Sequence, residues 1–516
     1  LSKHLIDWKT FFGALSLLVI VAVPLILFPV EGKEIVLAVN DIMTQRVGFL
    51  FLSIGLIMLL FLLFIGVSRY GDIKLGDKKT KPEFRTSSWA AMLFTSGIGT
   101  GILYWGAIEW AYYYQSPPFG LEAGTKEAIQ WASTYGFFHW GPIAWAMFAI
   151  PALPIGYMFF VKKVDVFKVS EACRPVLGKY TDGPVGRIVD VLFMFGLLGG
   201  GGTGLALSAP IISAGLNNLF GLPDNLATQT VVLFICTLIF GFSAYSGLQK
   251  GIRRLSDINL WMGFVLLIFI FSVGPTTFMM EATGTALGRM MDNFFTMSLW
   301  TEPFNDLGPF ERTGFPEGWT VFYWAWWIVY APFVGMFIAR ISKGRTIRQV
   351  IFGTIVFGSL GTILFFGILG NFSMHLELTG QYPVIEVMNN QGDAAAIVGT
   401  LTQLPFSKAA ITIFTLLAVV FLATTYDSGS YVIASVTQKH VEGEPVRWNR
   451  LFWALALSVL PITFLYLGGL TTLQTISIIG GFPLLFILPM LGWSFVKMVN
   501  QDREANEGKE DKRDAS

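Results

Sequence analysis

Apolar runs recur along almost the whole 516-residue chain, each about as long as a helix must be to cross the hydrocarbon layer of a bilayer. A backbone surrounded by lipid must satisfy its own hydrogen bonds, so the runs are expected as helices rather than open strands. They centre on 11–30, 46–67, 89–110, 134–159, 188–215, 229–248, 257–281, 319–340, 349–371, 408–435, 450–469 and 474–497. The fold class expected is therefore an all-α polytopic membrane protein with twelve spans. Composition agrees, because 53% of residues are apolar and only 13% charged, whereas a soluble domain carries roughly a quarter charged residues.

The charges are sorted along the chain. Lys74, Lys78, Lys79, Lys81 and Arg85 follow the second run, and Lys162, Lys163, Lys168, Arg174 and Lys179 follow the fourth. Lys250, Arg253, Arg254, then Arg340, Lys343, Arg345, Arg348, then Lys439 and Arg447 continue on the same side, while the alternate loops hold scattered bases such as Lys33, Lys126 and Arg312. The positive-inside rule then places both termini in the cytoplasm. The first run, behind Lys3, His4 and Lys9, reads as a spanning helix rather than a cleaved leader. A net charge of +1 offers no excess for nucleic acid, and two cysteines make no disulfide framework. The charged tail from Asn500 reads as solvated, and the stretch Met290 to Trp300 reads as an interfacial helix.

Some runs contain residues that a lipid-facing helix does not need. The third holds Gly97, Gly99 and Gly101, which either make a groove for helix packing or unwind the chain so that carbonyls can coordinate a cation. Pro332 gives the eighth a second irregularity. Interruptions at the starts of two groups of five helices are what an inverted repeat requires, with the binding site between the repeats. Gly199 to Gly202 lacks the lysine and strand context of a phosphate loop, so close packing or a flexible gate is expected there.

Aromatic residues cluster in two runs. Trp326, Trp327 and Tyr330 share a helical flank of the eighth, beside Trp319 and Trp324, whose position also suits an interfacial belt. The fourth contains His139, Trp140, Trp145 and Phe148. If these helices face each other, indole and phenyl faces can surround a methylated onium ion, whose diffuse charge asks for no fixed acceptor. In the tenth run, Thr424, Thr425, Asp427, Ser428 and Ser430 interrupt the hydrocarbon. The hydroxyls suit either bonding between helices or coordination of a small hard cation, and Asp427 either binds or braces neighbouring backbone. Glu109, Asp190 and Asp427 stand without a nucleophile-base pair or a metal-ligand cluster, so an enzyme is not expected; His139 suits either helix orientation or proton relay.

The segment Trp319 to Arg348, with "FHW" ending at Trp140, the glycines at 97–101 and "TTYDSGS" at Thr424 to Ser430, resembles the betaine/choline/carnitine transporter family over nearly all the runs. The resemblance implies two inverted five-helix repeats, 88–281 and 319–499, after an N-terminal segment 1–87 with two accessory helices, joined by an outer segment 282–318 and followed by a tail 500–516. It implies a quaternary ammonium or related zwitterionic osmolyte as substrate, a bacterial inner-membrane location, and a homotrimer. The family's aromatic box falls on Trp140, Trp145, Phe148, Trp326, Trp327 and Tyr330; Phe148 stands where betaine carriers have tyrosine, and Tyr330 where they have tryptophan. A sodium site is implied at the carbonyls of Thr95, Ile98 and Phe421 and the hydroxyls of Thr424 and Thr425. The family's second sodium site maps on Leu197 and Gly201, which bring no hydroxyl, although Phe333 keeps its aromatic partner. Import coupled to one sodium ion is the expectation, with no other cofactor. A sodium-independent exchanger and a ligand-gated channel or osmosensor are the alternatives.

Overall fold

The computed structural model describes residues 5–96, 99–246, 249–305, 307–441, 444–468 and 470–514. Among these the secondary structure is helical, with two isolated bridges, Ile6 to Gln438 and Lys74 to Thr346, and no strand. In chain order the helices are α1 (Trp8–Leu27), α2 (Pro29–Val67), α3 (Thr86–Ser96), α4 (Thr100–Gln115), α5 (Lys126–His139), α6 (Pro142–Phe160), α7 (Val169–Ala172), α8 (Arg174–Leu177), α9 (Pro184–Phe220), α10 (Leu226–Ser246) and α11 (Gln249–Val273). They continue with α12 (Thr276–Asp292), α13 (Phe294–Leu299), α14 (Val321–Ile341), α15 (Ile347–Phe365), α16 (Asn371–Leu378), α17 (Val384–Gln391), α18 (Asp393–Leu401), α19 (Ser407–Val436), α20 (Arg447–Ala456), α21 (Val459–Leu467) and α22 (Leu470–Asp514).

Among the described residues, ten helical stretches are long and apolar enough to cross a membrane, and eleven if Asp257–Val273 and Thr276–Asp292, bent by 108°, count as one. The remaining expected span, 89–110, is divided between α3, of 11 residues, and α4, of 16, so neither half reaches spanning length. The division falls at the glycine segment. Gly97 and Ile98 lie outside the described residues, Thr95 is the last but one residue of α3, and Gly99 caps α4 in an extended conformation (φ −146°, ψ −169°). The chain is thus an all-α polytopic membrane protein.

The eighth run differs from expectation in detail. Its helix α14 continues through Pro332, and the change of winding comes earlier, in a π-helical turn over Pro316–Thr320. A second π-helical turn, Phe366–Gly370, joins α15 to α16. The expected interfacial stretch holds the end of α12 and the short α13, with Met291, Phe295 and Leu299 exposed.

The centre of the molecule is α14, packed on α6, α9 and α22. Close approach needs small residues at the crossings. A Cβ on Gly335 would lie 3.0 Å from Phe148 O and Ala152 N of α6, and one on Gly200 would lie 2.5 Å from Val329 Cγ1. The glycine tract of α9 therefore lies in an unbroken helix and serves packing. At Gly353 and Gly358 of α15 the missing side chains leave room for the rings of Trp89 and Trp145, which would meet a Cβ at 2.2 and 2.1 Å. Outward, α1, α2 and α11 expose Ile20, Phe64 and Trp261, the surface that hydrocarbon must cover.

Candidate substrate site

The fourth run is interrupted between α5 and α6, and the interruption delivers the first wall of the site. Trp140 caps α5, and Gly141 precedes Pro142 at the start of α6. A Cβ on Gly141 would sit 2.3 Å from Phe137 O, so this turn requires glycine. The Trp140 carbonyl, released from regular helix, accepts from Thr362 Oγ1 at 2.6 Å. One turn on, Trp145 and Phe148 project from α6 with their rings edge to face at 5.4 Å.

Helix α14 provides the opposite wall. Trp327 meets Trp140 at 4.7 Å and 71°, and Phe148 at 5.8 Å and 79°. Trp326 stacks on Trp327 at 5.0 Å and stands edge to face with Trp140 at 6.0 Å. The rings of Trp140, Trp145, Phe148 and Trp327, with Ala144 and Thr362, enclose a gap with room for about one water molecule. Of the expected box, then, four rings share one enclosure. Trp326 and Tyr330 do not line it; Trp326 Nε1 and Tyr330 OH both donate to Gly200 O of α9, at 3.2 and 3.3 Å.

The polar edges of these indoles are committed to the protein. Trp327 Nε1 donates to His139 O at 2.8 Å, and Trp140 Nε1 donates to Glu109 Oε2 at 3.1 Å. With these N–H groups engaged, the π systems of the rings are what remain to receive a guest, and a π face attracts a cation. Sequence alone did not point to Ala144 or Thr362, both ordinary residues in apolar helices, nor to the partners of Glu109. An acid inside an apolar run was the available signal for the latter.

Glu109 is 1% exposed. Tyr113 OH donates to its Oε1 at 2.6 Å, and Tyr323 OH donates to Oε2. His139 Nδ1 lies 2.9 Å from Tyr113 OH, and its Nε2 lies 3.0 Å from Thr320 Oγ1. With Tyr113 donating to the carboxylate, the tautomer that satisfies every bond carries its proton on Nδ1 and accepts from Thr320 at Nε2. Tyr323 also stacks on His139 at 4.9 Å and Trp327 at 5.6 Å, joining the polar cluster to the aromatic wall.

The hydroxyl segment lies in the continuous helix α19. Thr424 Oγ1 and Thr425 Oγ1 each donate to Phe421 O at 2.9 Å, so the three oxygens implied for the cation gather on one turn. Neutral hard oxygens of this kind fit a sodium ion. On the other side of that site, Ile98 is outside the described residues. Asp427 accepts from Arg450, a residue 2% exposed, which identifies it as a brace between α19 and α20. Its neighbour Tyr426 forms a hydroxyl triangle with Thr237 and Ser458, with sides of 2.6, 2.6 and 2.7 Å. Leu197 and Gly201 of α9 bring no hydroxyl. Asp393, at the start of α18 and outside the spans itself, accepts from Tyr104 and Tyr112 of α4, both at 2.6 Å; burial holds its carboxyl above the ordinary range against these two donors.

The profile of the BCCT family, betaine/carnitine/choline family transporters, matches residues 9–504. The chain belongs to this family. It is 35% identical over 454 residues to the uncharacterized transporter YeaV of Escherichia coli, covering 87% of this chain and 92% of that protein. It is 36% identical over 455 residues to a carnitine transporter of Acinetobacter baumannii, covering 87% and 81%. It is 36% identical over 461 residues to the glycine betaine transporter OpuD of Bacillus subtilis, covering 89% and 88%. The expectation that this chain is a transporter and not an enzyme holds. As a BCCT transporter it carries its aromatic enclosure where the interrupted pair α5 and α6 meets α14.

Proposed function

We propose that this BCCT transporter imports a quaternary ammonium or related zwitterionic osmolyte of betaine type, coupled to one sodium ion. The observation that carries the substrate class is the enclosure of Trp140, Trp145, Phe148 and Trp327, with the indole N–H groups of Trp140 and Trp327 turned to protein acceptors. Each cation–π contact contributes roughly 0.5–2 kcal/mol depending on desolvation, so a few rings hold an onium group without a carboxylate in contact with it. The relatives named for carnitine and glycine betaine support the same class.

Sodium coupling rests on Phe421 O, Thr424 and Thr425, with Thr95 and Ile98 completing the site from the glycine break. Sodium there stabilises one arrangement of α3 and α4 against α19, and substrate favours the same state; shared preference for one state is sufficient for coupling. Because the gap holds about one water, a substrate needs the walls of α6 and α14 to separate, with Gly97, Gly99, Gly101 and Pro332 as the yielding points. In this reading 88–281 and 319–499 are the two inverted repeats, after 1–87 and on either side of 282–318, and the split stretch 89–110 is the twelfth span. The tail 500–516 and the N-terminus lie in the cytoplasm of a bacterial cell, the chain sits in the inner membrane, and three copies assemble.

Two measurements test this. A thermal-shift screen of glycine betaine, choline, carnitine, ectoine and sulfonium osmolytes, with and without sodium, is expected to show stabilisation by an onium compound that sodium enhances. Proteoliposomes are expected to accumulate that compound above equilibrium under an inward sodium gradient. Equal uptake with and without the gradient, at matched potential and pH, would refute the coupling and leave exchange.

A further inference from the structure

We infer that Glu109 sets the preference of the enclosure for a positively charged guest by polarising Trp140 from its N–H edge. This rests on the onium reading above, and adds a specificity-determining residue that touches no substrate. Glu109 lies behind the wall rather than in the gap: Trp140 Nε1 donates to its Oε2 at 3.1 Å, while the same indole lines the enclosure.

The groups that face this carboxylate are Trp140, Tyr113, Tyr323 and His139, drawn from α4, α14 and the end of α5. Three of them are neutral donors. His139 approaches Oε1 at 3.7 Å and is satisfied as a neutral ring by Tyr113 and Thr320, and it is the one ion-pair candidate for Glu109 among the described residues. The surrounding hydrogen bonds are all donated to its oxygens, the pattern that suits a carboxylate, and none of the three donors brings an opposing charge. A negative charge accepting the indole N–H pushes electron density toward the ring, and in a poorly solvated interior this polarisation is felt strongly. The ring face turned to the gap becomes a better partner for a cation. The same carboxylate also acts on the guest directly across one indole width, in the same sense. Tyr323, held by Glu109 and stacked on Trp327 at 5.6 Å, ties the second wall to the same group.

Glu109→Gln keeps size and an acceptor oxygen but removes the charge, so it separates polarisation from positioning. The probes are the tightest-binding of glycine betaine, choline and carnitine, and its carba-analogue, in which carbon replaces the quaternary nitrogen. Dissociation constants of purified protein, read by tryptophan fluorescence, give the preference for the quaternary nitrogen over the uncharged carbon head that replaces it. In Glu109→Gln this preference is expected to fall about three- to tenfold, with affinity for the carba-analogue changed less than about twofold. An unchanged preference, or an equal loss for both probes, overturns the inference and leaves Glu109 a packing residue. If Glu109→Gln does not fold, Tyr113→Phe removes a competing donor and leaves the charge to Trp140 and Tyr323. Its preference is expected to hold or rise, and a fall overturns the inference. Failure of wild-type protein to bind any of the three onium compounds would instead defeat the proposed function, and this inference with it.

Discussion

The aromatic enclosure and the hydroxyl turn of α19 differ in how their polar groups are engaged. Around the enclosure the indole hydrogens of Trp140, Trp326 and Trp327 go to acceptors on other segments, Glu109, Gly200 O and His139 O. On α19 the hydroxyls of Thr424 and Thr425 turn back on Phe421 O of their own helix. The first arrangement ties rings from different helices to fixed partners on other segments. The second costs nothing between helices and leaves oxygen lone pairs on one turn. An ion that bridges this turn to the glycine break would therefore make an interhelical tie that the hydroxyls do not make by themselves.

The largest effect that would break this contrast is expected at Trp327. Trp327→Leu removes a wall of the enclosure and leaves His139 O without its donor, so substrate affinity is expected to fall about tenfold or more while folded protein remains in the membrane. Uptake assays beside size-exclusion profiles measure both; retained uptake would sink the aromatic reading. Thr424→Ala with Thr425→Ala is expected to abolish sodium stimulation yet leave substrate binding at saturating concentration, because the enclosure does not use these hydroxyls. Binding isotherms with and without sodium decide it, and persistent stimulation would remove the ion from α19. The smallest effect is expected at Gly358, where the added methyl of Gly358→Ala would lie 2.1 Å from a ring carbon of Trp145. Overpacking of this kind costs about 1–3 kcal/mol, and relief by a shift of Trp145 into the gap is expected to lower affinity with a lesser change in melting temperature. A change in melting temperature without one in affinity would show the ring yielding away from the gap.

Much of the site was legible in the letters, and its limits have physical causes. Helical spacing groups Trp326, Trp327 and Tyr330 on one flank of the run, and all three lie in α14. Spacing could not say that Trp327 would face α6 while Trp326 and Tyr330 turned their polar atoms to Gly200, since neighbouring rings on one flank can meet different helices. Pro332 signals irregularity, but α14 winds through it; the π-helical turn comes earlier, at Pro316–Thr320, where a proline in the first turn reads as an ordinary helix start. Asp427 was open between ligand and brace until Arg450, distant in sequence, closed on it.

Sequence by itself determined that the chain is a helical membrane protein, because runs of this length and composition have no other solution in hydrocarbon, and the family motifs made it a transporter. Tertiary structure alone decided which rings enclose a gap, that Thr362 and Ala144 complete it, and that Glu109 stands behind Trp140. The reason is that hydropathy reports only what must leave water. Which face of a buried helix meets which neighbour depends on glycines at crossings and on hydrogen bonds between segments more than a hundred residues apart, and neither is a property of any single run.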